Sequence, residues 1–196
     1  SASGGLWKSE SWGTHWTPIF DEQVVSSIGA VKVSKLHPDI VWVGTGEGNP
    51  RNSQTSGRGI FQSRDAGKTW KCMGLEETKT IHRICMDGHD NVYAAAMGSA
   101  WGPNPDRGVF YYNVALGQWK KILFVNDSTG CADLVMDPLN DQKLFAAMWQ
   151  YERKPWNFNS GGKGSGLHMT VDGGTTWKRL GEKEGLPKGH LGRVGI

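Results

Sequence analysis

The chain has 196 residues, enough for one domain, with 28 glycines, 10 tryptophans, 21% charged residues and a net charge of +3. This balance excludes a disordered chain, and with no block of like charge it gives no footprint for nucleic acid or a membrane surface. No apolar run approaches the ~18 residues of a membrane span. Cys72, Cys85 and Cys131 are too few and too scattered for a disulfide framework or a zinc site.

Taken in chain order, residues 1–18 read as one hairpin. Its strand segment Gly5-Leu6-Trp7-Lys8 leads into the turn Ser9-Glu10-Ser11-Trp12-Gly13-Thr14-His15-Trp16. Residues 24–75 then carry four strand signals, labelled a to d. They are Ile28 to Val33, Ile40 to Val43, Gly59 to Gln62, and a strand after the turn ending at Trp70. The order recurs over 79–124, with His82 to Met86, Val92 to Ala95, Gly108 to Tyr112 and a strand from Trp119. It recurs again over 129–181, with Ala132 to Met136, Leu144 to Ala147, Gly166 to Met169 and a strand from Trp177. Residues 188–196 read as a further strand a. Pro, Asp, Asn and Gly punctuate the a–b junctions, and nothing in the pattern is helical.

Trp16, Trp70, Trp119 and Trp177 therefore mark a repeat of roughly 50 residues, the period of a β-propeller blade. The expected architecture is all-β: a β-propeller of four-stranded antiparallel blades, about three and a half of them, too few to close a ring. An open ring leaves strand edges and blade faces bare. The expected partners are thus the remaining blades of the same polypeptide or a second chain. The opening Ser1-Ala2-Ser3-Gly4-Gly5 reads as the interior of a longer protein and holds no signal peptide.

Two turns have nearly one phrase, with Ser63, Asp65, Gly67 and Trp70 in the first and Thr170, Asp172, Gly174 and Trp177 in the second. The Asp carboxylate accepts N–H groups of its own turn, the hydroxyl ties the turn further, and the Gly takes a positive φ. The Trp is expected to pack back on its own blade. Ser11 replaces the Asp at residues 9–16, and the copy ending at Trp119 lacks it, so those two turns are expected to be less well braced. Each loop has one carboxylate where calcium needs several, so no metal or cofactor is expected.

This phrase resembles the Asp box, or BNR repeat. With Trp42 to Ser53, Trp101 to Asn104, Ala147 to Gln150 and Ser160 to Gly166, the whole chain resembles the secreted bacterial BNR proteins described as sortilin-like or glycosyl-hydrolase-like. The resemblance implies a seven-bladed or similar propeller and a secreted, periplasmic or cell-surface location. It does not imply a reaction.

Strand order puts a–b and c–d turns on one face of the disc and b–c loops on the other. The b–c loops hold the residues suited to ligand binding: Glu47, Asn49 and Arg51; Trp101, Asn104 and Arg107; Trp149, Arg153 and Trp156. Aromatic faces with Arg and Asn suit a protein, peptide or glycan. The same residues could instead cover the blade tops. Arg83, Asp133 and Arg193 share one register on strand a and are expected to line the channel, either contacting ligand or neutralising one another. A glycoside hydrolase needs two facing carboxyls. Glu47, Asp106, Glu152 and Asp133 could supply them, but the Arg-Ile-Pro phrase of sialidases is absent. Binding without catalysis is the leading expectation, hydrolysis the alternative, and a scaffold segment without its own ligand the third.

Overall fold

A computed structural model describes residues 3–49 and 51–196. Ser1 and Ala2 of the expected first hairpin, and Pro50 of the first long loop, lie outside the described residues. β1 (Trp7–Lys8) and β2 (Thr17–Pro18) form a two-stranded hairpin. The first blade is β3 (Ile28–Val33), β4 (Val41–Thr45), β5 (Ile60–Ser63) and β6 (Lys71–Cys72), hydrogen-bonded in that order. The second is β7 (Ile81–Met86), β8 (Val92–Ala96), β9 (Gly108–Asn113) and β10 (Gln118–Leu123). The third has β11 (Thr129–Asp137), β12 (Asn140–Lys154), β13 (Asn157–Ser160), β14 (Gly166–Thr170) and β15 (Lys178–Arg179). Every pairing is antiparallel, and β13 adds to the outer half of β12. The chain is an incomplete all-β propeller. Among the described residues, no helix is long and apolar enough to cross a membrane.

The core lies between blades. Trp42 and Ile60 of the first blade meet Ile81, Ile84, Val92 and Tyr112 of the second; Tyr93 and Val109 of the second meet Leu134, Leu144 and Met148 of the third. Strands b are therefore buried on both faces, as the unbroken burial of Val41–Thr45 and Val92–Ala96 records. Close stacking also demands small residues: a Cβ at Gly44 would stand 2.6 Å from Ile81 Cγ2.

All three inner strands carry a bulge at one register, between Ile28 and Ala30, Ile81 and Arg83, and Cys131 and Asp133. The bulges align Ala30, Arg83 and Asp133 at one register, whereas Arg193 lies outside any strand. They also free Gly29, His82 and Ala132 from the ladder, which re-aims whatever side chain stands there.

Hydrogen bonds separate the two faces. Ala66 N–H donates to Asp39 O and Gly173 N–H to Gln142 O, tying c–d turns to a–b turns. Ser34 Oγ donates to Asp90 Oδ1 at 2.6 Å and His37 Nδ1 meets Asp90 Oδ2 at 2.7 Å, linking a–b turns of successive blades. At the other face, the b–c loops bond the d–a connections, as in Gly57 N–H to Lys79 O and Asn104 N–H to Asp127 O.

The Asp turns have matching geometry. Asp65 Oδ1 accepts from Thr69 N at 2.8 Å and Ser63 Oγ accepts from Gly67 N at 2.8 Å; Asp172 and Thr170 repeat this at 2.9 and 3.0 Å. Gly67 and Gly174 both have a φ of 92°, so glycine is needed there. Bonds from the Thr69 and Thr176 hydroxyls and backbone hold both carboxyls down at about 2. The turn at 9–16 is better braced than expected: Ser9 Oγ accepts from Gly13 N and Ser11 Oγ from His15 N, both at 2.8 Å. The Ser11 hydroxyl thus stands in for a carboxylate. In the turn before Trp119, Asn113 Oδ1 accepts from Leu116 N at 2.9 Å.

Trp70, Trp119 and Trp177 pack on their own blades, as expected, Trp119 with its ring 5.0 Å from that of Tyr112, and two of them also bond across to the blade before. Trp70 Nε1 donates to Ile19 O at 2.6 Å and Trp119 Nε1 to Met73 O at 2.7 Å, each acceptor lying three residues after the previous tryptophan of the series. The same rule would pair Trp177 with Ile122, but the Trp177 indole N–H is buried without a partner. β10 carries a bulge between Lys121 and Leu123, which displaces the Ile122 carbonyl from its regular place. Two further expectations change. Residues 188–196 form no strand: among the described residues their β pairing is one isolated bridge, Gly162–Leu191. Among the described residues, helical structure is limited to two single 3-10 turns, Glu76–Thr78 and Glu182–Glu184.

Candidate functional site

The b–c loops build the candidate face. In the first, Glu47 is buried and holds its own loop: Oε1 pairs with Arg51 Nε at 2.5 Å and Oε2 accepts from Thr55 N at 3.2 Å. Arg51 and Asn49 stay exposed. In the second, Trp101 is exposed, whereas Asn104 and Arg107 are buried. Asn104 Nδ2 donates to Glu77 O at 3.1 Å. Arg107 donates to Ser128 O, Ser99 O and Gly102 O at 3.2, 2.6 and 3.1 Å, and its guanidinium lies 5.3 Å from the Tyr151 ring centroid. Burial holds its pKa below the ordinary value, yet the carbonyls and ring keep the cation in place. Asn104 and Arg107 thus tie loops together beneath the surface.

The third loop is a second β-hairpin. β12 runs on through Lys154, turns at Pro155-Trp156, and returns as β13. A polar, aromatic stretch without apolar alternation reads as loop, but cross-strand pairs such as Arg153 with Phe158 make it a ribbon. Trp156 stands at its tip, 82% exposed. Arg153 lies over Phe158 at 5.5 Å and donates to Asn52 Oδ1, joining the third loop to the first. Trp149 is buried, stacked on Tyr151 at 4.6 Å, with Arg193 over its ring at 5.6 Å.

The charged rung expected to line the channel is split. Arg83 Nε pairs with Asp133 Oδ1 at 2.8 Å, from one blade to the next, and Asp133 Oδ2 accepts from Ile196 N at 3.2 Å. Arg193 takes no part in this pairing. Beside the rung, Glu47, Gly48, Asn49, His82, Arg83 and Arg193 line a cavity of about 180 Å³. His82 projects from the second bulge, and its Nδ1 lies 3.2 Å from Ala132 O. Burial, then the charges of Arg193 and Arg83, push its pKa down to about 4, so the ring is neutral at neutral pH. Facing a carbonyl, Nδ1 carries the proton and Nε2 is left as an acceptor. Sequence reading missed His82, for which the one available signal was its place beside Arg83 on strand a.

Each candidate carboxylate is paired with its own cation. Besides Glu47 with Arg51 and Asp133 with Arg83, Glu152 pairs with Lys154 at 3.4 Å and Asp106 with Lys121 at 3.9 Å. Among the described residues, no group of three or more His, Cys, Asp or Glu converges as a metal site would.

Comparison with known proteins yields a fold and no family. No protein-family model matches. A xyloglucanase from Paenibacillus sp is 22% identical over 206 aligned residues, covering 95% of this chain and 19% of that protein. Among solved structures, a Niastella koreensis GH74 enzyme superposes with a TM-score of 0.66 at 20% identity, over 91% of this chain and 26% of that one. An ancestral GH74 enzyme gives 0.67 at 21% identity, over 92% and 22%. The GH74 xyloglucanase from Xanthomonas campestris gives 0.65 at 19% identity, over 92% and 27%. The chain thus spans about a fifth to a quarter of the proteins it matches.

Proposed function

We propose that this chain is the Asp-box part of a larger carbohydrate-handling propeller, and that its b–c loop face binds a glycan without itself carrying catalysis. The observation that carries this reading is the β12–β13 hairpin, which holds Trp156 82% exposed on the same face as the exposed Trp101. An exposed indole on a rigid ribbon offers a flat apolar surface to the C–H face of a sugar ring at little entropic cost. The likeness to xyloglucanases supports a polysaccharide in place of a protein or peptide. The separate engagement of Glu47, Asp106, Asp133 and Glu152 by cations supports binding over hydrolysis, because a glycosidase needs two facing carboxyls.

Titration calorimetry with xyloglucan oligosaccharides and other cell-wall glycans tests the proposal. Binding by the chain is expected, with affinity reduced at least tenfold in Trp156→Ala and Trp101→Ala. Unchanged affinity in both variants would sink it. The same xyloglucanase likeness favours the second reading, a hydrolase segment of the longer protein. Release of reducing ends that disappears in Glu47→Gln or Asp133→Asn would establish that reading.

A further inference from the structure

The mouth of the channel differs from the rest of the loop face in its charge balance. Glu47 is neutralised by Arg51 and Asp133 by Arg83. Arg193 has no ion-pair partner among the described residues; it is exposed at the cavity and steadied by its position over Trp149. The local surplus is therefore one guanidinium. Next to it stands His82, 4% exposed, with Nδ1 committed to Ala132 O. Gly48 lies over the face of the His82 ring, where a Cβ would stand 3.3 Å from Nε2 and 3.4 Å from Cδ2, so glycine leaves room beside the imidazole where it lines the cavity. The cavity thus sets a cationic fork beside a hydrogen-bond acceptor.

From this pairing we infer that the channel mouth, between Arg193 and His82, takes the carboxylate-bearing residue of an acidic glycan, a uronic acid. The inference rests on the glycan reading above and adds the class of sugar. Arg193 accepts the carboxylate on its planar fork. A neighbouring ring hydroxyl donates to His82 Nε2. A plain carboxylate leaves that acceptor unmatched, and a neutral sugar leaves the guanidinium unmatched; a sugar acid answers both. A cavity of about 180 Å³ has room for one ring.

The test is calorimetric binding of this chain to a homogalacturonan oligosaccharide and to a neutral glucan oligosaccharide of equal length, with acetate and an acidic peptide as competitors. The uronate oligosaccharide is expected to bind at least tenfold more tightly, and the preference is expected to vanish in Arg193→Gln. Arg193 is exposed, so this variant should fold. A second measurement does not rely on it: the uronate should shift the imidazole nitrogen resonances of His82, and the neutral oligosaccharide should not. Equal binding of both oligosaccharides, a preference that survives Arg193→Gln, or displacement by acetate or peptide as effective as by free galacturonate would overturn the inference while leaving the glycan reading intact. Binding of neither oligosaccharide would overturn the inference, and that reading would fail only if the wider glycan panel also gave none.

Discussion

The two faces of the disc solve different problems with similar residues. At the c–d turns, Asp65 and Asp172 spend both carboxylate oxygens on their own turn, and each turn repeats the other to within a few tenths of an ångström. At the b–c loops, no two segments share a conformation. The first is held by a buried Glu47, the second by a buried Arg107, and the third is a protruding hairpin. Regularity marks the face that keeps the blades in order. Irregularity, with exposed tryptophans and an arginine that has no ion-pair partner among the described residues, is found on the face proposed to meet a ligand.

The largest effect is expected where the loop face also carries the fold. A Cβ at Gly29, on the first bulge, would meet Ile81 O at 2.2 Å, a backbone atom that cannot swing away. Gly29→Val should leave no cooperative unfolding transition in calorimetry. A variant melting like the parent would show that the bulges are not the joints between blades.

Acid should act on the two faces in separate steps. His82 stands at about 4 in the fold against an ordinary 6.5. Between those values the unfolded chain binds the extra proton, so stability is full above pH 6.5 and falls as the pH drops toward 4. Asp65 and Asp172 stand at about 2 against 3.8, so their contribution is full above pH 3.8 and is lost toward pH 2. Melting temperature against pH should show a first decline below pH 6.5, to which His82 and His168, its pKa also lowered by burial, both contribute. His82→Gln should shrink that step and leave the second. A single step below pH 4 in the parent would contradict the buried, neutral imidazole.

Smaller effects separate the seams. Trp70→Phe removes a bond to Ile19 O and should cost about 1 kcal/mol. Trp177→Phe removes a buried N–H that has no partner and should be near neutral. Equal losses in urea unfolding would show that Trp177 has an acceptor. The smallest change in stability is expected at Trp156, which is 82% exposed: Trp156→Ala should shift the melting temperature by less than about 1 °C.

How much of this was legible in the sequence follows the same division. The blades, the strand order and the shared register of Ala30, Arg83 and Asp133 came from period and spacing, which local backbone physics imposes. The acceptors of Trp70 and Trp119 did not, because they lie 51 and 46 residues away on another blade. Nor did the β12–β13 hairpin, whose polar and aromatic composition carries no strand alternation. Arg107 and Trp149 read as surface binders because residue type records chemistry and not environment; both are buried. Trp101 and Trp156 are exposed and Arg153 is half-buried.

The division of labour itself can be measured in one comparison. Glycan affinity and melting temperature are recorded for Trp101→Ala/Trp156→Ala and for Asp65→Ala/Asp172→Ala. The loop-face pair should lose affinity at least tenfold with its melting temperature unchanged. The turn-face pair should melt several degrees lower and keep its affinity. Affinity lost from the turn-face pair at a temperature where it is still folded, or kept in the loop-face pair, would contradict the assignment of order to one face and recognition to the other.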